Sequence, residues 1–225
     1  MPNIKAPISA ARHSPEWYQR FFAWAMATAA QDYEKKMADR KQHLFANLEG
    51  EVLELGPGAG PNLPYMSSQN DWLGLEPNPY MHTYLQQKAN ELGLKIEVQT
   101  ATLANASIPG NSKDVVLCTL VLCSVPNLEA TIQEILRVLK PGGQFLFIEH
   151  VVAPTGSLLR RVQTGLCPLW QVIGDGCRLD RETGKVIEAS GFASVAYETF
   201  DAPVPIALVK PHIMGVAVKA ESAAT

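Results

Sequence analysis

The chain lacks several features that would assign its class at once. It has no run of basic residues, and its formal net charge is −3 over 225 residues, which speaks against nucleic acid as a partner. The four cysteines, Cys118, Cys123, Cys167 and Cys177, form no CxxC pair. Their spacing therefore indicates neither a zinc site nor a disulfide framework, no metal is expected, and a reduced, cytoplasmic setting fits. No apolar run reaches the roughly 20 residues needed to span a bilayer. Low-complexity tracts and internal repeats are also missing. Charged residues make up only 18% of the chain and apolar ones 47%, a composition that excludes disorder and points to one generous globular domain.

The one stretch that resembles a targeting signal is Phe21–Ala30, FFAWAMATAA. Trp17, Phe21, Trp24 and Thr28 fall at helical spacing, and Glu16 precedes them, so an amphipathic helix is the better reading than a signal peptide. Its expected role is packing on the domain or acting as a lid over a lipophilic substrate. Peripheral membrane contact is the alternative, and the mixed charges of the following DYEKKMADRKQ argue against it. Residues 1–49 are thus read as a helical cap, 50–220 as the main domain and 221–225 as a loose tail.

From residue 51 onward, strand and helix signals alternate. Strands are expected at Val52–Leu55, Trp72–Leu75, Ile96–Thr100, Asp114–Thr119 and Gln144–Glu149, with helices at Met81–Leu92, stopped by Gly93, and at Leu128–Leu139. Val195–Phe200 and Ile213–Lys219 are two further strands without a helix between them. The pattern predicts an α/β fold: a mostly parallel, Rossmann-like open sheet with helices on both faces and an antiparallel last strand.

The stretch EVLELGPGAGPNLPY (51–65) raises the question of ligand. In such sheets ligands bind beyond the carboxyl ends of the strands. Gly56, Gly58 and Gly60 follow the first strand and permit a tight turn that a ligand can approach closely. A P-loop would need a lysine that is not there. A pyrophosphate fingerprint would need glycine at 61, where Pro61 stands. Glu54, beside the turn, suits a ligand with an amino group. Glu76, 20 residues after Gly56 and followed by Pro77, can accept hydrogen bonds from two ribose hydroxyls. A ribose and an ammonium without a phosphate cradle describe S-adenosylmethionine.

VLELGPGAG, GLEPN, SKDVVLCTLVLCSV and LRVLKPGGQFLFIEH together resemble the class I S-adenosylmethionine-dependent methyltransferases, in the order of that family. The resemblance implies a seven-stranded sheet with the last strand antiparallel. CTLVLCSV, FIEHVV, DGCRLDRET and KPHIMGVAVK resemble more narrowly the subfamily that includes alkyl-thiol S-methyltransferases. Such relatives are membrane-associated through a hydrophobic N-terminal segment, and no such segment is read here. The family commonly places an acid after the third strand for the adenine amino group. Here the matching position is Thr102, so its hydroxyl or the backbone of Thr102 and Leu103 would serve.

Methyl transfer from a sulfonium is an in-line displacement that depends on alignment. Thr119 and Leu120, ending the fourth strand, are expected near the methionine portion of the cofactor. His150 ends the fifth strand and His212 opens the last. Either could take a proton from the acceptor with a near-neutral pKa, and Asp175 could orient one of them. Cys177 reads as a small buried residue rather than a nucleophile. Leu166, Leu169, Trp170 and Ile173 are expected to wall the acceptor pocket. The acceptor is expected to be a small lipophilic molecule, best read as a thiol; O-, N- or C-methylation of an aromatic, quinone-like or lipid substrate is the alternative.

Overall fold

Burial along the strand Lys113–Thr119 (β4) shows how the sheet is filled. Val115 and Leu117 point to one face and Val116 and Cys118 to the other, all four essentially inaccessible. A strand buried on both sides reads as a continuous apolar run and belongs inside a parallel sheet. Its neighbours are β1 (Glu51–Leu55) and β5 (Leu139–His150), both parallel to it. The computed structural model describes residues 14–222; the start of the N-terminal segment and the end of the expected tail lie outside them.

The sheet has seven strands in the order β3-β2-β1-β4-β5-β7-β6, where β2 is Asp71–Leu75, β3 Glu97–Gln99, β6 Ser194–Asp201 and β7 Pro211–Val218. β7 inserts between β5 and β6 and runs antiparallel to both. Its first residues therefore reach the same sheet edge as the last residues of β5, and His212 pairs with His150.

Helices cover both faces, as expected. On one, Tyr33 and Met37 of α2 (Gln31–Leu44) and Leu85 and Ala89 of α3 (Met81–Leu92) pack on Val52, Leu117 and Ile148. On the other, Ile132 and Ile135 of α4 (Leu128–Val138) pack on Leu53, Val116 and Phe147. α3 ends at Gly93 in a left-handed conformation (φ 67°) that satisfies its last carbonyls. Between β1 and β2 there is only a 3-10 turn, Leu63–Tyr65, and α2 fills the space against the sheet. Met37, Phe45 and Leu48, from the segment read as a cap, are buried in the same core as Val52.

Two further differences concern apolar faces. α1 (Glu16–Ala29) forms, yet Trp17, Phe21 and Trp24 are 69%, 55% and 55% exposed, and its buried contact is Ala23. α5 (Leu158–Ile173) carries the expected pocket wall, but Leu166, Leu169 and Ile173 face solvent while Cys167 and Gln163 face inward. A helical apolar stripe tells that one face is apolar, not that the face meets the core. A short helix, α6 (Thr183–Glu188), follows α5. Among the described residues, no helix is long and apolar enough to cross a membrane.

Candidate active site

The glycine turn sits where β1 meets the sheet's carboxyl edge. Gly56, Gly58 and Gly60 all have positive φ (57°, 56° and 84°). A β-carbon on Gly56 would lie 2.5 Å from Val121, and one on Gly60 would press Leu63 and Leu85, whereas one on Gly58 would meet nothing within 4 Å. Gly58 thus faces open space, and only the first and last glycines are required by the protein's own packing.

Glu76 lies beside Gly58. It is 6% exposed, accepts from the Gly58 N–H at 2.9 Å and the Asn78 N–H at 2.8 Å, and its pKa is raised by burial. Two backbone donors fix both carboxylate oxygens and leave lone pairs for further partners. Pro77 beside it is exposed at the rim.

Glu54 is held by protein partners. Its oxygens accept from Asn62 Nδ2 (2.8 Å) and Trp72 Nε1 (3.0 Å), and burial raises its pKa to about 7. Asn62 also donates to Thr119 Oγ1 (3.1 Å) and accepts from the buried Lys41 ammonium (2.9 Å), which in turn pairs with Glu34. Through Asn62, Glu54 acts as a polar strut that ties the glycine turn to the end of β4. Asn62 and Lys41 were not singled out from the sequence.

The loop after β4 is held with unusual thoroughness. Glu149, fully buried at the end of β5, accepts from the N–H groups of Val121 (2.9 Å), Leu122 (3.0 Å) and Cys123 (3.4 Å) and from the Cys118 thiol. Arg181 donates to the carbonyls of Leu122 and Val125. Between Thr119 and this clamped loop, Leu120 is held at φ 58°. A left-handed leucine is costly, and such strain is retained where surrounding contacts dictate it, often at functional sites.

Beyond that loop, buried groups converge. His150 Nε2 lies 2.9 Å from Cys177 Sγ, and Trp170 Nε1 donates to the same sulfur at 3.2 Å. Cys123, His150 and Cys177 bring their side-chain donor atoms within 4.8 Å of one another. The Cys177 pKa falls to about 5, first through its hydrogen bond from Cys123 and then through those from His150 and Trp170, against the opposing effect of burial. Cys123 is displaced the other way, well upward. Cys177 is thus half-buried and hydrogen-bonded to His150 and Trp170, where the sequence suggested a small core residue. Cysteine spacing carried no signal of this cluster.

His212 is buried against His150 and Tyr33, with ring centroids 6.3 and 6.1 Å away. Its Nδ1 bonds the Lys210 carbonyl, so Nε2 is the acceptor nitrogen. Burial lowers its pKa to about 4, below the near-neutral value expected there, so at pH 7 the ring is neutral and Nε2 can accept a hydrogen bond. His212 Nε2, His150 Nδ1 and Tyr33 Oη are all buried without a protein partner among the described residues. Buried polar atoms are rarely left so, and these three lie on neighbouring rings. Tyr33 was hidden in a charged stretch and was not read as a site residue.

Asp175 touches neither histidine; it is exposed, at φ 50°, and accepts from Ser14 Oγ (2.8 Å). Thr102 is occupied by Asn105, whose Oδ1 accepts from both its N–H (2.7 Å) and its hydroxyl (3.1 Å), and Leu103 is buried. α1 spans the same edge. Gln19 O accepts from Asn78 beside Glu76, Glu16 accepts from Tyr80, and Tyr18 donates to the Ile173 carbonyl.

Comparison with known proteins decides the family. A profile described as "Methyltransferase domain" matches residues 53–147. Thiol S-methyltransferase TMT1A of Homo sapiens is 35% identical over 212 residues, covering 89% of this chain and 87% of its own. The chain belongs to the class I S-adenosylmethionine-dependent methyltransferases. Thiol S-methyltransferase TMT1B of Rattus norvegicus is 38% identical over 211 residues, covering 88% of this methyltransferase and 86% of its own chain. Among solved structures, a SAM-dependent methyltransferase from Aquifex aeolicus matches with a TM-score of 0.59 at 18% identity, over 88% of this chain and 97% of that one. YcgJ of Bacillus subtilis matches with a TM-score of 0.63 at 17% identity, over 84% and 99%. At those identities the structural matches speak for the fold alone.

The site fits the cofactor. Open space at Gly58, a buried carboxylate at the end of β2 and a clamped turn at the end of β4 are what a ribose-bearing ligand without a phosphate grip requires.

Proposed function

We propose that this enzyme methylates the sulfur of a small lipophilic thiol. The observation that carries the reading is its 35–38% identity, over most of its length, with thiol S-methyltransferases of mammals. S-adenosylmethionine supplies an electrophilic methyl group. On this reading the glycine turn (Gly56, Gly58, Gly60) gives its backbone to the ligand, Glu76 takes the ribose hydroxyls, and Pro77 borders them. Thr102 and Leu103 border the adenine, and Thr119 and Leu120 the methionine portion. Glu54 positions the turn through Asn62 and does not touch the ligand.

The acceptor lies among His150, His212 and Tyr33, whose unpartnered atoms receive its polar end, with Trp170 alongside and α1 as a lid. A thiol of pKa about 8.5 is already a few per cent thiolate at neutral pH. A strong base is therefore not needed, and the weakly basic His212 is adequate as a hydrogen-bond acceptor. The four free cysteines fit a reducing, cytoplasmic compartment.

A matched series of alkyl thiol, phenol and amine, assayed with methyl-labelled donor, tests the acceptor. The thiol is expected to turn over and the others to lag. Turnover of the phenol or amine with an inert thiol would refute the thiol reading and leave the methyltransferase assignment standing.

A further inference from the structure

Cys123, His150 and Cys177 come from three different parts of the chain: the loop after β4, the last residue of β5 and the turn after α5. We propose that these three side chains form a binding site for a zinc-class, thiophilic metal ion, with a fourth position open to the sulfur of the acceptor. The second half rests on the thiol reading above; the first does not.

The donor set fits such an ion. Two thiolates and one imidazole suit a borderline-soft divalent cation and exclude magnesium or calcium, which require oxygen. With ordinary zinc–sulfur and zinc–nitrogen bonds, tetrahedral geometry separates the sulfurs by about 3.8 Å and sulfur from nitrogen by about 3.6 Å. The three donor atoms lie within 4.8 Å of one another, and the 2.9 Å contact of His150 with Cys177 has only to open slightly. Among the described residues no fourth metal-binding side chain joins the cluster. Three protein ligands with an open position are the pattern of catalytic zinc sites, whereas structural sites are closed by four.

Supporting contacts surround the two cysteines. Trp170 Nε1 donates to Cys177 Sγ, the kind of outer contact that orients a ligand and tunes its charge. Cys123 is fixed through its own N–H to Glu149, and its carbonyl accepts from the Arg178 N–H. His150 is locked into the β5–β7 ladder opposite His212. The Cys123 sulfur touches the Leu120 carbonyl at 3.5 Å, so the cluster adjoins the strained residue proposed to face the donor.

In this arrangement the acceptor thiol takes the open position, a metal–sulfur bond forms, and the thiol proton leaves to solvent with no change of oxidation state. The metal would thereby hold the acceptor as a thiolate at neutral pH. The buried His212 Nε2 is placed next to His150 to accept a hydrogen bond from that sulfur's partner water or substituent.

The test uses the full chain loaded with zinc or with cobalt(II) and then dialysed. Wild type is expected to retain the metal stoichiometrically, and the cobalt form to show thiolate-to-metal charge transfer and the visible bands of a tetrahedral site. Cys177→Ser and Cys123→Ser should each lose those bands, while Cys167→Ser, at a cysteine outside the cluster, should keep them. Adding an alkyl thiol should shift the visible bands, and the matched alcohol should not. Chelated, metal-free protein at neutral pH should methylate thiols roughly tenfold more slowly or worse, with the deficit shrinking as pH approaches the thiol pKa. A folded wild type that retains no metal, or a Cys177→Ser variant with an unchanged spectrum, overturns the site. Bands indifferent to thiol, or full activity without metal, overturn its role toward the acceptor while leaving thiol methylation itself untouched.

Discussion

Gly58→Val is expected to abolish cofactor binding while leaving the protein folded. The position separates the two effects well, because a β-carbon there meets no protein atom within 4 Å. The folded state bears only the backbone cost of a branched residue at φ 56°, about 1–2 kcal/mol. A ligand seated against that backbone would meet two methyl groups, and overpacking of about 3 kcal/mol corresponds to roughly a hundredfold loss of affinity. Calorimetric titration with S-adenosylhomocysteine, beside a thermal melt, measures both. Gly56→Val makes the contrast: its β-carbon would lie 2.5 Å from Val121, so stability should fall together with binding. Wild-type affinity in Gly58→Val would place the ligand elsewhere.

Glu149→Ala is expected to give the largest loss of stability among single substitutions around the site. The carboxylate is fully buried and satisfies three successive backbone N–H groups of the loop after β4. Removing it leaves those donors, and the Arg181 guanidinium nearby, without their anion. Breaking a buried charged arrangement from one side costs about 3–5 kcal/mol, or roughly 6–20 °C in Tm for a domain of this size. Glu149→Gln keeps the volume and one acceptor and should fall between. The burial-raised pKa of Glu149 works in a definite direction: the folded state holds its proton more tightly than the unfolded one. This residue's contribution therefore declines as pH rises through the interval above the usual glutamate value. A melt of Glu149→Ala matching wild type would mean that the loop is held by Arg181 alone.

Much of the fold was legible because its signals are local. α3 was bounded to the residue, Met81–Leu92 with Gly93 after it, since a helical period and a left-handed glycine both act within one turn. β1, β2 and β4 were placed within a residue or so because buried parallel strands are short apolar runs. The glycine turn after β1 and the position of Glu76 after β2 could be read for the same reason, as local features of two strand ends.

What escaped depends on partners distant in the chain. That Asn62 and Trp72 hydrogen-bond the oxygens of Glu54 is a matter of packing. Leu166, Leu169 and Ile173 share an apolar face in the sequence, but nothing there says that the face is left to solvent. Tyr33, Met37 and Lys41 recur every fourth residue within a polar run, a period that could have revealed the buried side of α2. Cys123 and Cys177 stand 27 residues either side of His150, and only the return of the chain after α5 brings them together.

The most direct measurement offers one molecule both choices. A mercaptophenol carries a thiol and a phenol on the same ring, so binding, access and lipophilicity are held constant. With S-adenosylmethionine labelled with carbon-13 in the methyl group, the product is expected to show the label as an S–CH3 resonance, formed by wild type and lost in Gly58→Val. A label appearing as O–CH3 would contradict the account.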